Sequence, residues 1–559
     1  MTRAAVRDAS QSSAYGDGVM RSRWKRPRTA PGRALPARAH LALVASVAVV
    51  ALAGCSATLP TIDDELWQNG ASPAASDAAS STPGVPRESH VPVEMLPQPR
   101  VDVGYRMPRL GPQEAPGLVA RLAAMAAPDF TAVARWATPA GASVLGDAFD
   151  ARFAELVRGY AAEHGLDWSP GVDIAPGGVG APCDRHPLTG AAGVSLTVDC
   201  AIVGATGTLL AERLVVIRRD GVVATSVDRS TWYTDAATGE FGDGATLYRP
   251  GAEPRVLALL AEGLRSSDLA GVADPFVDLT EEGVHRVLAD TVVVADDFVV
   301  QVPLIATPDG RGRGHVAVLV PTRLVAPFLS PFGVAVQTAV ASGAPYSPAT
   351  AATGADRVDC TLVACVSITF DDGPTRHTGE LIGILRDRRA PATFYLQGVN
   401  VERRPHVVRE LVEEQHQLGN HTWKHPYLTR LPDPEVRAEI ELTQAAIAAA
   451  SGVWPTSLRP PYGDVDQRVR DLAELPLVVW DVDTNDWQEP GSDVVADRAV
   501  SWSSRGSIVL MHDTHEQTVA AVPTIIDGLR DRGFTLATVS EQFGGAMPGA
   551  GELVSHGPR

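Results

Sequence analysis

Over residues 360–545, short apolar segments alternate with amphipathic segments of helical length. This pattern predicts strands at 366–370, 393–396, 477–482 and 507–512, and helices at 378–387, 404–417 and 433–450. Such alternation is typical of βα units that form a parallel sheet covered by helices. Because ligands of these folds bind at the carboxyl ends of the strands, we expect functional residues directly after the predicted strands.

Two acidic residues follow the first of these strands, in the segment TFDDGP. The adjacent carboxylates of Asp371 and Asp372 repel each other and need a cation, such as a metal ion or an arginine. Further along, in HTWKH, His421 and His425 can present both imidazoles to one ion on a helical turn. Alone, the first segment is most often a polar turn and the second an ordinary surface pair. Together they favour a catalytic metal site, since two histidines and one carboxylate leave positions open for water.

Three more polar segments follow later, RPPYG, WDVDTNDW and LMHD. In the first, two prolines stiffen the loop, and Arg459 offers a fixed donor fork for a carboxylate. Each segment alone could be an ordinary loop or strand end. We expect Asp481 and Asp513 to be solvated strand ends.

In order, spacing and identity, these segments resemble the five motifs of the polysaccharide deacetylases (the NodB homology domain, carbohydrate esterase family 4). The motifs read TFDDGP, HTWKH, RPPYG, DTNDW and LMH. The resemblance implies an α/β fold, a distorted (β/α) barrel, at 360–545. It further implies that Asp372, His421 and His425 hold a divalent metal, usually zinc.

The same resemblance implies the catalytic roles. Asp371, oriented by Arg459, is the general base toward the attacking water, and the backbone N–H of Tyr462 helps hold the oxyanion. His512 is the general acid that protonates the leaving amine.

A carboxylate of the fourth motif should keep His512 protonated. We favour Asp483 for this role, with Asp486 next. The expected substrate contacts are Pro461, Tyr462, Trp487 and Leu510, of which Leu510 and Trp487 would line a slot for the acetyl methyl group.

The N-terminus predicts an export signal. Basic residues precede an uncharged apolar run at 41–53, which is too short to span a membrane but fits a secretory signal. The run ends in LAGC, which resembles a bacterial lipobox and implies a signal peptide at 1–54 and lipidation of Cys55. A transmembrane anchor and an ordinary cleavable signal are the alternatives. A lipidated protein would be exported and held at the outer face of the cytoplasmic membrane, facing the cell wall.

Residues 55–99 are rich in Ala, Ser, Pro and Asp, and predict a flexible tether. Residues 546–559 predict a disordered tail. Between tether and barrel, residues 100–345 predict a smaller α+β domain with mostly antiparallel strands at 194–203, 209–218, 222–233, 292–303 and 315–321, and helices at 118–126, 148–165 and 255–264. Parts of this region resemble an RsiV-type domain, found in some anti-sigma factors and ahead of some exported deacetylases. It would bind a protein or glycan ligand, or act as a spacer.

Four cysteines remain once Cys55 is set aside, and they allow three disulfide connectivities. Proximity in the sequence favours Cys183–Cys200 and Cys360–Cys365, which an oxidising compartment permits. The formal net charge of −18 argues against nucleic-acid binding.

The reaction implied is hydrolysis of an acetamide on a sugar. For a lipid-anchored protein, the accessible N-acetylated polymer is peptidoglycan, the expected cell-wall polysaccharide substrate. Chitooligosaccharide and acetylated xylan are alternatives. A different class of function is a lipoprotein that senses or binds wall fragments or lysozyme.

Overall fold

The computed structural model describes residues 97–140, 143–175, 177–180, 183, 193–267, 275–304, 314–347 and 358–558. The predicted signal peptide, Cys55 and nearly all of the predicted tether lie outside the described residues. Within the described ranges, no helix has the length and apolar character needed to cross a membrane.

The strands, in chain order, are β1 (Arg100–Asp102), β2 (Leu118–Ala127), β3 (Phe130–Pro139), β4 (Val194–Thr206), β5 (Leu209–Asp220), β6 (Val223–Asp235), β7 (Phe241–Asp243), β8 (Thr291–Val293), β9 (Asp297–Leu304), β10 (Gly314–Pro321), β11 (Cys365–Asp371), β12 (Thr393–Leu396), β13 (Gln417–Asn420), β14 (Leu477–Val478), β15 (Val482–Asp483), β16 (Ile508–His512), β17 (Thr535–Leu536) and β18 (Leu553–Val554).

The helices are α1 (Ser143–Glu163), α2 (Glu253–Arg265), α3 (Glu281–Ala289), α4 (Thr322–Val325), α5 (Pro331–Ser342), α6 (Thr378–Asp387), α7 (Gly398–Arg403), α8 (Pro405–Glu413), α9 (Asp433–Ser451), α10 (Gln467–Ala473), α11 (Ser492–Ser501), α12 (Glu516–Asp531) and α13 (Val539–Gln542).

The first region, residues 97–347, contains two sheets. One has the order β2-β3-β4-β5-β6-β7 and the other β1-β10-β9-β8. All neighbouring strands are antiparallel except β3 and β4, so the prediction of mostly antiparallel pairing is confirmed. The predicted strand at 292–303 is in fact a hairpin of β8 and β9.

The helix predicted at 118–126 is wrong, because this segment forms β2. Ala123 and Met125 join one apolar cluster, and Leu122 and Ala124 join another. The strand is therefore buried on both faces, and it lacks the apolar–polar alternation that distinguishes a half-exposed strand from a helix.

The second region, residues 358–558, has a parallel sheet of order β13-β12-β11-β16-β15, with β17 paired to β11. Isolated bridges from Leu458 to Asn420 and to Leu477 continue the sheet from β13 toward β14. Strands and helices share one apolar core in which Phe370 and Phe394 of the sheet pack with residues of α6 and α12. The distorted (β/α) barrel predicted for this region is confirmed.

Residues 546–558, the described part of the predicted disordered tail, are ordered, so that prediction is wrong for them. Strand β18 pairs in parallel with β14, and the backbone N–H of Gly557 donates to the carbonyl of Gly506 at 2.8 Å. The glycines and prolines of the predicted tail suggested disorder. Leu553 and Val554 nevertheless form a strand that lies in register with β14.

The two regions share apolar packing. Trp136 and Phe153 of the first region belong to the same buried cluster as Leu362, Val363 and Ala537 of the second. Both predicted disulfides, Cys183–Cys200 and Cys360–Cys365, are present. The second closes a short loop directly before β11, next to this shared cluster.

Candidate active site

The polar motifs meet at the carboxyl edge of the parallel sheet. Asp371 ends β11, where it lies in register with Tyr395 of β12 and His512 of β16. On the neighbouring strand, Leu396 is in register with Asn420, which precedes His421. Parallel strands bring these residues to one edge, as the alternation in the sequence predicted.

Three of these side chains converge as a ligand set. The Oδ1 atom of Asp372 lies 3.5 Å from Nε2 of His421 and 3.4 Å from Nε2 of His425. The Nδ1–H of His421 donates to the carbonyl of Arg459 at 2.7 Å, which leaves the Nε2 lone pair directed at the cluster. Neighbouring ligands of a tetrahedral ion at about 2.1 Å stand about 3.4 Å apart. The three residues therefore fit a divalent metal.

The backbone that carries the two histidines is not a helical turn, so that expectation is wrong. Thr422 and His425 both have left-handed conformations, with φ of 63° and 62°, and Asp372 opposite them has φ of 73°. Local hydrogen bonds hold the loop, because Thr422 N–H donates to Asn420 Oδ1 at 2.8 Å and Lys424 N–H donates to Glu439 Oε2 at 2.7 Å. Such uncommon backbone conformations persist where surrounding contacts fix them, typically at functional sites.

A buried ion pair holds the carboxylate of Asp371. The Nη1 of Arg459 donates to Asp371 Oδ1 at 2.8 Å and to Thr369 Oγ1 at 2.7 Å, and both charged side chains are almost fully buried. The guanidinium also stacks over Tyr395, with Cζ 4.0 Å from the ring centroid. One oxygen of Asp371 is thus fixed, and the other, Oδ2, lies 3.6 Å from His421 Nε2 beside the ligand set.

Electrostatics keep Asp372 ionised. Burial favours the neutral carboxyl, but His421 and His425 outweigh it and hold the pKa of Asp372 below its ordinary value. An ionised carboxylate is the form that binds a metal ion.

His512 is paired with a carboxylate that lies beneath it. Asp486 Oδ1 is 2.8 Å from His512 Nδ1, while its Oδ2 accepts from the His512 backbone N–H at 2.7 Å and from Thr518 Oγ1 at 2.8 Å. Burial lowers the pKa of His512, but the hydrogen bond and charge of Asp486 outweigh burial and raise it to about 9. The same contacts hold the pKa of Asp486 below its ordinary value, although burial acts the other way.

The preference for Asp483 as the partner of His512 is therefore wrong. Its side chain accepts from the backbone N–H of Asn485 at 2.8 Å. Asn485 has a left-handed conformation, with φ of 51°, and the short turn that follows brings Asp486 under His512. Asparagine is one of the few residues that tolerate this conformation. The asparagine at 485 was therefore the signal in the sequence for a turn that selects Asp486.

The expectation that Asp513 is solvated is also wrong, because this residue is fully buried. Its Oδ2 accepts from Thr378 Oγ1, and burial raises its pKa to about 7. A Cβ on Gly373 would lie 2.6 Å from this oxygen, so the motif glycine is required by the approach of Asp513. Asp481, by contrast, is exposed as expected.

The rim of the site carries exposed aromatic rings. Tyr462 and Trp487 are each 55% exposed, while Pro461 and Leu510 are buried. Tyr462 has a left-handed backbone, with φ of 60°, and its ring lies 4.5 Å from that of His425. On its other side it stacks on Tyr427, which the sequence reasoning missed.

Comparisons with known proteins identify the family of the chain. A family model described as polysaccharide deacetylase matches residues 359–477. The chitooligosaccharide deacetylase of Rhizobium leguminosarum bv. trifolii is 34% identical over 194 residues, which is 32% of this chain and 90% of that protein. The chain belongs to the polysaccharide deacetylase family. The alternation and the five motifs that indicated this family lie within residues 360–545.

Other polysaccharide deacetylases match the same part of the chain. The peptidoglycan-N-acetylglucosamine deacetylase PgdA of Listeria monocytogenes is 37% identical over 180 residues, 32% of this chain and 39% of that protein. The chain thus spans about two fifths of the length of the first curated relatives it matches. A solved family 4 carbohydrate esterase from Streptomyces lividans, in complex with acetate, is 36% identical over 32% of this chain and 95% of that one, with a TM-score of 0.31.

Proposed function

We propose that this protein is a metal-dependent hydrolase that removes N-acetyl groups from cell-wall polysaccharide, with peptidoglycan as its substrate. One observation carries the proposal. A metal ligand set, a carboxylate fixed by a buried arginine, and a histidine paired with a buried carboxylate all converge on one edge of the sheet. Metal-assisted hydrolysis of an acetamide uses a metal site, a general base and a general acid, and these three elements can fill those roles.

Each residue has a separate task in this reaction. Asp372, His421 and His425 would hold the metal, which we propose to be zinc, and when bound this ion polarises the acetyl carbonyl and makes water more acidic. Asp371 accepts a proton from the attacking water through Oδ2, because Arg459 occupies Oδ1. The backbone N–H of Tyr462 stabilises the developing oxyanion.

His512 completes the reaction as the general acid. Its pKa of about 9 keeps it protonated at neutral pH, so it can donate to the departing nitrogen. Without that proton the leaving group would be an amide anion, which leaves very poorly. Asp486, not Asp483, keeps this proton in place.

Peptidoglycan is proposed as the substrate for two reasons. The Listeria relative is named a peptidoglycan-N-acetylglucosamine deacetylase, and a Bacillus subtilis relative a peptidoglycan-N-acetylmuramic acid deacetylase. The predicted lipobox would also place the protein beside the wall. The name of the Rhizobium relative supports chitooligosaccharide as the second candidate.

We also propose that Cys55 is lipidated and that the mature protein is exported and attached to the outer face of the cytoplasmic membrane. The LAGC sequence supports this, and two disulfides are compatible with an oxidising compartment. We further propose that residues 100–345 form an RsiV-type domain. Loss of membrane association in Cys55→Ser would support the anchor, and unchanged association would contradict it.

The decisive experiment is acetate release from purified sacculi by the full chain, with and without a chelator. We expect release that stops with the chelator and returns with added zinc. Asp481→Asn is the control for Asp371→Asn, because Asp481 directly precedes β15, at the opposite edge of the sheet from the ligand set, where its carboxylate accepts from Ser507 Oγ and from the Ile508 backbone N–H. No release from sacculi, with release from chitooligosaccharide, would replace the proposed substrate with the second candidate.

A further inference from the structure

A cationic side chain lies at the outer end of an aromatic stack that begins at the ligand set. The rings of His421 and His425 lie 4.9 Å apart, and His425 lies 4.5 Å from Tyr462. Tyr462 stacks on Tyr427 at 4.1 Å with 13° between the planes, and Cζ of Arg430 lies 3.9 Å from the Tyr427 centroid. The stack leads from the catalytic centre along the surface to a guanidinium.

The stack holds the guanidinium in a defined position. The nearly parallel ring of Tyr462 covers one face of Tyr427, so the guanidinium lies over the other face. Neither face of Tyr427 is then open for stacking on a sugar. Its role is to orient Arg430 through a cation–π contact, which leaves the N–H edges of the guanidinium free to donate.

The loop under this stack is fixed as well. Thr429 donates through its backbone N–H and its hydroxyl to Asp464 Oδ2, at 3.0 and 2.7 Å. Arg468 donates to the carbonyls of Leu428 and Thr429, at 3.2 and 3.1 Å. Because these contacts fix Leu428 and Thr429, the two residues before Arg430, ligand binding would cost little ordering of the backbone.

Arg430 also lacks a carboxylate partner within residues 358–558, all of which are described. Some other arginines of this region pair with acids, for example Arg468 with Asp433 at 2.9 Å and Arg386 with Glu414 at 3.2 Å, and others, such as Arg403, do not. Arg430 differs from these in that its exposed guanidinium is held by the aromatic stack beside the catalytic centre, where its N–H edges are available to an anion.

We propose that Arg430, oriented by Tyr427, is a subsite for a carboxylate carried by the glycan next to the sugar that is deacetylated. The inference rests on the proposed function and narrows its substrate class to acidic glycans. A guanidinium binds a carboxylate through two parallel hydrogen bonds, and a neutral oligosaccharide offers no such group. In peptidoglycan with stem peptides the lactyl carboxyl of muramic acid is bound in an amide, so the free carboxylate belongs to the stem. Where the stem is absent, the free carboxylate belongs to muramic acid.

The test compares Arg430→Gln with Arg437→Gln, an exposed arginine on α9 whose nearest acid, Glu474, is 3.9 Å away. Binding is measured by calorimetry in an Asp371→Asn background, which keeps the metal ligands. The probes are peptidoglycan fragments with stem peptides, the same fragments after amidase removal of the peptides, and neutral chitooligosaccharides. Steady-state KM and kcat are measured on the same glycans with the otherwise unchanged chain.

We expect Arg430→Gln to weaken binding of the acidic glycans about three- to tenfold, the range of a partly exposed charge-assisted hydrogen bond. KM should rise by the same factor with kcat unchanged, and neutral glycans and Arg437→Gln should show no change. Arg430→Lys should restore only part of the affinity, because it keeps the charge without the planar fork.

The outcomes are distinct. Weakening with the peptide-bearing fragments assigns the carboxylate to the stem, and weakening only after peptide removal assigns it to the lactyl carboxylate of muramic acid that the amidase frees. Equal binding of acidic glycans by the Arg430→Gln and unsubstituted forms overturns the subsite, as does equal weakening for neutral glycans. If the protein releases acetate from no substrate, the proposed function fails, while the binding comparison still decides the subsite.

Discussion

One buried acid of the first region and one of the second have opposite electrostatic surroundings. In the first region, Glu212 is almost fully buried, and its Oε1 accepts from the Ala137 backbone N–H at 3.0 Å. Burial without a cation raises its pKa to about 8, so it is neutral at pH 7. In the second region, Asp371 is equally buried but faces the guanidinium of Arg459.

The comparison of Glu212 with Asp371 shows that burial of an acid does not by itself mark a catalytic site. His416 gives the same lesson within the second region, because it is buried among apolar residues and its pKa is lowered to about 4. His416 directly precedes β13, whereas His421 directly follows it. The side chains that can act are those that converge with charged partners on an open cleft.

The largest expected effect separates the two histidines that flank β13. His421→Ala removes a metal ligand, so we expect loss of bound metal and a fall in acetate release of about 10⁴-fold or more. His416→Leu replaces a neutral, buried ring with an apolar side chain, so metal content and rate should stay unchanged. Metal analysis with acetate release measures both. Retained stoichiometric metal in His421→Ala would contradict the assigned ligand set.

The next prediction compares the two buried acids. Asp371→Asn should lower kcat about 10³-fold, within the range for loss of a general base, with metal still bound. Glu212→Gln should leave kcat within about twofold, because the acid is already neutral and remote from the reaction. A large fall in kcat for Glu212→Gln, without unfolding, would show that the first region takes part in catalysis.

A smaller effect distinguishes Asp486 from Asp483. Between neutral pH and about pH 9 activity should be constant, and above about pH 9 it should fall as His512 loses its proton. In Asp486→Asn that fall should begin below about pH 7, with kcat at pH 7 reduced about 10- to 100-fold. Asp483→Asn should keep the alkaline limit near pH 9. The pH profile of acetate release checks this, and equal profiles in the two variants would contradict the pairing.

The same pair affects stability in a defined direction. The pKa of His512 is raised from 6.5 in the unfolded chain to about 9 in the folded one. The stabilisation of the folded state by protonated His512 is therefore complete below about pH 6.5 and is lost as the pH rises through about 9. Denaturant unfolding of the full chain at pH 6 and pH 10 should show a smaller difference in Asp486→Asn than in the unsubstituted protein.

The smallest effect on activity is expected in the first region. Replacing Cys183 and Cys200 with serine should cost about 2–4 kcal/mol of stability, typical of a closed loop of this length. The rate of acetate release at low temperature should not change. Thermal unfolding and acetate release test this, and a lowered kcat at full folding would link the first region to the site.

Much of the second region was predictable, because parallel strands give short apolar segments and their functional residues follow directly after them. The positions of Asp371, Asp372, His421 and His425 follow from that rule. The pairing of His512 was not predictable from spacing, since a single left-handed residue, Asn485, decides which aspartate lies beneath the imidazole.

The first region was less predictable for a related reason. Strand β2 is covered on both faces, so its sequence carries neither a period of two nor a clear helical period. The burial of Asp513 and the order of β18 depend on contacts with residues far along the chain, at Thr378 and Leu477. Such contacts leave no local signal in the sequence.

The apolar cluster shared by the two regions has a consequence for inheritance of the catalytic module. A gene fragment encoding residues 358–558 alone would leave Leu362, Val363 and Ala537 without their covering side chains, Trp136 and Phe153. Transfer of the barrel without the region before it would therefore yield an aggregation-prone product unless other side chains covered these positions. In this chain the two regions should accordingly be kept together.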